Sequence, residues 1–184
     1  MGNVIFSINM TLDGCVDHTK GNSNEEVHDY FTELLKGIDL LFYGRKTYEL
    51  MVPFWPDIAK NQSGGTRSMN DFAQTFDAID RIVVSRSLAN VDDPRTRIVR
   101  ENPADELRKL KQEPGRRIAL GGVDLPSQLI ALDLVDEYYF VIHPVIAGEG
   151  RRLLDVTHLQ AQLQLKLVDS RMLGSGTVAL HFTK

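Results

Sequence analysis

The chain has 184 residues, of which 42% are hydrophobic and 25% charged, an ordinary composition for one folded domain with a sizeable core and one that argues against long disorder. A net charge of −4 offers no strongly basic face for a nucleic-acid backbone, and the single cysteine, Cys15, excludes an internal disulfide framework and fits a reducing compartment. No apolar run approaches the roughly 20 residues of a membrane span, and the N-terminus starts as a strand without a basic leader; neither nucleic acid nor membrane is expected as a partner, and a cytoplasmic location is.

Residues 4–8 read as a strand that runs into a turn at Asp13-Gly14. Ser23 and Glu26 spell a capping box for a helix whose apolar stripe is Val27, Tyr30, Phe31, Leu34 and Leu35, with Gly37 at its end. Residues 39–44 form a strand apolar on both faces, as in a parallel sheet covered by helices, and a short helix follows over 45–52 until Pro53 and Pro56 break it. The polar stretch 57–70, with Gly64-Gly65, is expected to be a mobile loop. Strands are predicted at 80–85 and 97–99, and Asn102 with Pro103 opens a helix running to Gln112. A strand over 116–120 ends in Gly121-Gly122, and the next helix carries Leu125, Leu129, Ile130 and Leu132. A strand over 135–143 and an antiparallel pair over 163–169 and 177–182, turned at Gly174-Ser175-Gly176, complete the pattern. Roughly eight strands and four helices in this order predict a three-layer α/β sandwich with a mixed, mainly parallel central sheet and a C-terminal antiparallel pair.

The chemistry concentrates where strands end. Gly44 closes a buried strand, and Arg45, Lys46 and Thr47 occupy the first turn of the helix after it. Unpaired N–H groups and the positive dipole end favour an anion there, and Arg, Lys and a Thr hydroxyl together suit a phosphate; the alternative is that Thr47 merely caps and the two basic side chains are solvated, which their opposition to the dipole disfavours. Gly121, Gly122 and Val123 form a second junction, where paired glycines serve either a plain turn or the close approach of a ligand to backbone. Ser85, Arg86 and Ser87 sit at a third strand end, a composition that suits a further phosphate or an ordinary surface. Other chemistries lack their patterns. The chain has no G-x-G-x-x-G, no Walker A sequence and no G-x-S-x-G elbow, and its five histidines have no zinc-like spacing with cysteine.

Six stretches in order then carry a resemblance. Gly44-Arg45-Lys46-Thr47-Tyr48-Glu49, Val84-Ser85-Arg86 and Ala119-Leu120-Gly121-Gly122 resemble the dihydrofolate reductase fold in sequence and approximate spacing. Met10-Thr11-Leu12-Asp13-Gly14, Pro53-Phe54-Trp55-Pro56, and Leu134-Val135-Asp136-Glu137 leading to Pro144-Val145-Ile146-Ala147-Gly148-Glu149-Gly150 are similar to one branch of it. That branch is the reductase, or C-terminal, domain of the bifunctional riboflavin-biosynthesis deaminase/reductase, in stand-alone form, and the resemblance spans nearly the whole chain.

The resemblance implies an NADPH-dependent reductase of a pyrimidine- or pterin-like heterocycle, similar to 5-amino-6-(5-phosphoribosylamino)uracil reductase. It implies that Gly44, Arg45, Lys46 and Thr47 contact a cofactor phosphate, that Gly121, Gly122 and Val123 take the pyrophosphate through a cis Gly121–Gly122 peptide, and that Ser85 and Arg86 take the adenosine 2′-phosphate. Asp13 would lie near the nicotinamide as a catalytic group, or else merely form its turn. Where dihydrofolate reductases place a carboxylate on the first helix, this chain has Val27. The ribosyl phosphate of a riboflavin-branch substrate would need its own basic group, for which Arg151-Arg152 is the candidate. The 53–70 segment is expected to gate the site with Trp55, the alternative being that Trp55 plugs the core edge. Members of this branch usually pair, and the run Glu137-Tyr138-Tyr139-Phe140-Val141-Ile142 offers apolar surface for a homodimer. Dihydrofolate reduction itself, and a non-catalytic nucleotide-binding module, stand as alternatives.

Overall fold

In the computed structural model, which describes residues 1–21, 23–153 and 162–184, six helices are threaded among eight strands. The order is β1 (Asn3–Thr11), α1 (Glu25–Leu35), β2 (Leu40–Gly44), α2 (Arg45–Met51), α3 (Phe54–Asn61), α4 (Arg67–Asp77), β3 (Asp80–Val84), β4 (Thr96–Val99), α5 (Pro103–Lys111), β5 (Arg117–Gly121), α6 (Asp124–Ala131), β6 (Glu137–His143), β7 (Lys166–Met172) and β8 (Val178–Thr183). All eight strands form one sheet in the order β4-β3-β2-β5-β1-β6-β8-β7. The strands from β4 to β6 are parallel; β8 and β7 join antiparallel.

The two faces of the sheet are buried by different helices, because alternate strand residues point to opposite sides. Val4, Phe6, Phe42, Ile118 and Leu120 pack with Leu107 and Leu110 of α5 and Leu125 and Leu129 of α6. Ile5, Leu41, Tyr43, Val83 and Ala119 pack with Leu35 of α1, Tyr48 of α2 and Phe72 and Phe76 of α4. The expected three-layer sandwich is therefore the fold.

Several local expectations are corrected. The stretch 57–70 is not a loop: α3 and the start of α4 occupy most of it. Thr66 accepts a hydrogen bond from the Met69 N–H at 3.2 Å and caps α4, whose Phe72, Ala73 and Phe76 are buried. Asn24, not Ser23, caps α1, through a 3.1 Å bond from the Val27 N–H. Glu26 turns instead to the β7–β8 turn and accepts from the Ser175 N–H at 3.1 Å. Asn102 stands before α5 in the left-handed region (φ 49°) and makes no side-chain cap. Leu132 lies past α6 and is exposed, and β7 starts at Lys166 rather than 163. The β6 run does not form a free apolar face either. Tyr138 is buried edge-on to Phe6, Val141 is buried, and Tyr139 stacks on His181 at 4.1 Å.

Candidate active-site cleft

The carboxyl ends of the parallel strands open into one cleft of about 1070 Å³. Its position follows from the topology. From β5 the chain passes to α6 on one face, whereas from the neighbours β1 and β2 it passes to α1 and α2 on the other, so the connections diverge and leave a crevice.

Three adjacent strands, β5, β2 and β3, bring the three sequence-predicted junctions to one rim of this cleft. Tyr43 pairs with Gly121 and Gly44 with Val84, so the strand ends lie side by side. At the first junction Tyr48 is buried in the core, while Arg45 and Lys46 are exposed in the first turn of α2, a turn with no acidic residue. Arg45 has a single long contact to Glu49, at 3.9 Å. At the second junction Gly122 has φ +86°, and a Cβ there would overlap the Thr47 hydroxyl; a Cβ on Gly121 would stand 2.9 Å from the Tyr43 ring. Only glycine lets these two junctions touch. No cis peptide occurs among the described residues, so the expected cis bond between Gly121 and Gly122 is corrected to trans; the reversal there comes from the positive φ of Gly122. Val123 follows, half-buried in the cleft wall, and its carbonyl accepts from the Ser127 N–H at 2.9 Å.

At the third junction Ser85 is buried and shapes the turn, donating its N–H to Val99 O and accepting the Leu88 N–H on Oγ, both at 3.0 Å. Arg86 beside it is exposed and makes no hydrogen bond or ion pair among the described residues. Arg100, which the sequence reading missed, anchors the same turn by donating to the Leu88 and Ala89 carbonyls at 2.9 and 3.0 Å.

Asp13 is not brought into the cleft. Its carboxylate accepts from Thr11 Oγ1 at 2.5 Å, pairs with Arg152 at 2.8 Å, and receives the Ala147 and Gly148 N–H groups at 3.1 and 2.9 Å. These bonds, the Thr11 hydroxyl first, hold it well below the usual carboxylate range. Asp13 thus pins the 145–153 segment to the turn after β1. Arg151 lies at the cleft mouth and pairs through both guanidinium nitrogens with Asp124, the first residue of α6. Both arginines of the Arg151-Arg152 pair therefore already hold carboxylates.

The remaining wall is aromatic and was largely missed. Trp55 from α3 packs edge-on to Phe72 of α4 at 4.5 Å and Phe54 at 4.9 Å, and His28 from α1 stands 5.8 Å from the Trp55 ring. Trp55 is half-buried, facing the cleft on one side and the core on the other, so the gate and core alternatives describe one side chain held by helices. Val27, His28, Phe31 and Leu35 are the α1 residues on the cleft, and none is a carboxylate. Burial holds the His28 imidazole below its ordinary 6.5, outweighing nearby Asp29 and Glu25. On the sheet side Asn9 Oδ1 meets Nε2 of the fully buried His143 at 3.0 Å. Met69, Phe72 and Phe76 do recur at helical spacing in the sequence; Gly64-Gly65 masked that signal.

Comparison with known proteins places this cleft in context. The family model described as the RibD C-terminal domain matches residues 3–179. The uncharacterized protein YyaP of Bacillus subtilis is 33% identical over 184 residues, covering 97% of this chain and 93% of its own. A Shewanella sp. PV-4 protein provisionally assigned to riboflavin biosynthesis has a crystal structure that superposes with a TM-score of 0.73 at 18% identity, covering 98% of each chain. A pyrimidine reductase-like protein of Corynebacterium diphtheriae superposes at 0.65 with 14% identity, covering 98% of this chain and 91% of that one. At such identities the two structures attest the fold.

Proposed function

The chain belongs to the RibD C-terminal domain family, and on that premise we propose that it is an NADPH-dependent reductase of a pyrimidine- or pterin-like heterocycle. The observation that carries this reading is the convergence of three strand ends on one cleft rim, with Arg45, Lys46 and Arg86 exposed along it. Gly44, Arg45, Lys46 and Thr47 hold one phosphate, using the free N–H groups of the α2 start. Gly121, Gly122 and Val123 admit the pyrophosphate against bare backbone, because the glycines leave no Cβ in the way. Arg86 takes the 2′-phosphate beside the turn that Ser85 shapes, with a charge-assisted bond. When bound, NADPH supplies the hydride. The chain's part is to hold the substrate ring at the aromatic wall and to exclude water around it.

The absence of a carboxylate among the α1 residues that line the cleft makes dihydrofolate reduction the weaker reading. NADPH oxidation measured against a panel of pterins and ribosylaminopyrimidines tests the proposal. Turnover of a pyrimidine or pterin supports it; NADPH binding without turnover of any would favour a nucleotide-binding module. We also propose that the protein pairs as a homodimer. The β7 edge is exposed along its whole length, with Leu167, Val168 and Met172 uncovered. Light scattering that returns the 20.7 kDa monomer mass at micromolar concentration would reject pairing.

A further inference from the structure

The cleft is electrically lopsided. Five Lys or Arg side chains line it: Arg45, Lys46, Arg86, Arg100 and Arg151. All five stand at the ends of β2, β3 and β4 or against the start of α6, which is the rim assigned above to the cofactor. Among the described residues the other end has none. Its wall is Val27, His28, Phe31, Trp55 and Phe72. The basic residues closest in sequence to this wall, Lys36, Lys60 and Arg67, do not line the cleft, and Lys36 and Arg67 pair instead with Glu33 and Asp71. Residues 154–161 and residue 22, which lie outside the described structure, contain no Lys or Arg.

A phosphate here would have to shed water against an apolar, aromatic surface with no cation to replace that water. A flat ring meets the opposite conditions. Trp55, Phe72 and His28 give it faces and edges to stack on, and the Asn9 amide, whose Oδ1 meets His143, has an NH2 group to donate to the C=O of a lactam. Burial also keeps His28 neutral at pH 7, so it adds no charge of its own.

We infer that the substrate end of the cleft takes a flat, uncharged lactam heterocycle that carries neither a phosphate nor a carboxylate tail. The inference rests on the reductase reading for which end is which. It separates this chain from enzymes that act on a ribosyl phosphate.

The test uses the protein unaltered. Trp55 is the only tryptophan and stands in the wall concerned, so its fluorescence reports occupancy of that end. The probes are pterin, uridine, uridine 5′-monophosphate and dihydrofolate, each titrated with and without saturating NADPH. The expected result is that pterin or uridine quenches Trp55, and that the monophosphate binds at least tenfold more weakly than uridine. Equal or tighter binding of the monophosphate, or of dihydrofolate relative to pterin, overturns the inference, as does failure of every probe to quench. NADPH binding, followed by its own fluorescence, separates the two levels. If NADPH binds and no flat ring does, only the substrate assignment falls; if NADPH fails to bind, the reductase reading falls with it.

Discussion

The two ends of the cleft are built by different means. The cationic end is made of backbone: three neighbouring strand ends, a helix start and two glycines, all fixed by the hydrogen-bonded ladder of the sheet. The aromatic end is made of side chains from α1, α3 and α4, elements that meet only because the domain has folded. Binding of a conserved chemical group such as a phosphate suits the first construction, since N–H groups and glycines cannot drift. Recognition of a particular ring suits the second, where one side chain can change without disturbing the sheet.

The sharpest way to break the cationic end alone is Gly122→Val. The residue has φ +86°, and any Cβ there overlaps Thr47. Left-handed backbone costs a non-glycine residue about 1–2 kcal/mol before the clash is counted, and a β-branched one more. NADPH affinity is expected to fall at least a hundredfold, about 2.7 kcal/mol or more, while quenching of Trp55 by pterin survives. Loss of both signals would mean that the ends are not independent.

At the other end, Trp55→Ala removes a half-buried ring from both the cleft and the core cluster of α4. A stability loss of about 2–3 kcal/mol is expected, below the 3–5 kcal/mol of a fully buried ring. Trp55→Phe should recover most of it in a denaturant melt while leaving heterocycle turnover reduced. Unchanged turnover in both variants would remove Trp55 from the site.

A milder change tests cofactor choice. Arg86→Ala should weaken NADPH by about tenfold, the lower end of what a charge-assisted bond is worth, and leave NADH unaffected. Competition titration of the two nucleotides reads this directly, and equal losses for both would dissociate Arg86 from the 2′-phosphate.

The smallest expected effect is a pH dependence confined to the aromatic end. His28 has its folded pKa below the unfolded 6.5, chiefly because burial disfavours the charged ring. The unfolded chain therefore takes up this proton first as the pH drops, and stability declines from 6.5 downward until the folded pKa is passed. His28→Phe should flatten that part of a melting-temperature profile without altering NADPH affinity. An unaltered profile would show that His28 is not the group responsible.

How much of this could be read beforehand follows the same division. Gly44-Arg45-Lys46-Thr47 and Gly121-Gly122 were legible because their meaning is local: a strand end, a helix start and glycine freedom need no distant partner. The sandwich was legible for a related reason, since period-2 and period-3.6 patterns specify which face of each element is buried. The aromatic wall was not. Helices α3 and α4 were hidden behind Pro53, Pro56 and Gly64-Gly65, and their stability comes from Phe72 and Phe76 packing under the sheet rather than from local propensity. Sequence by itself also left Asp13, Arg151 and Arg152 as candidates, because a charged residue near a site looks the same whether it is free or paired. Only the tertiary structure decided that Asp13 holds Ala147 and Gly148, that Arg152 holds Asp13 and that Arg151 holds Asp124. Those pairings join positions more than 25 residues apart, and no local rule of backbone chemistry reaches that far.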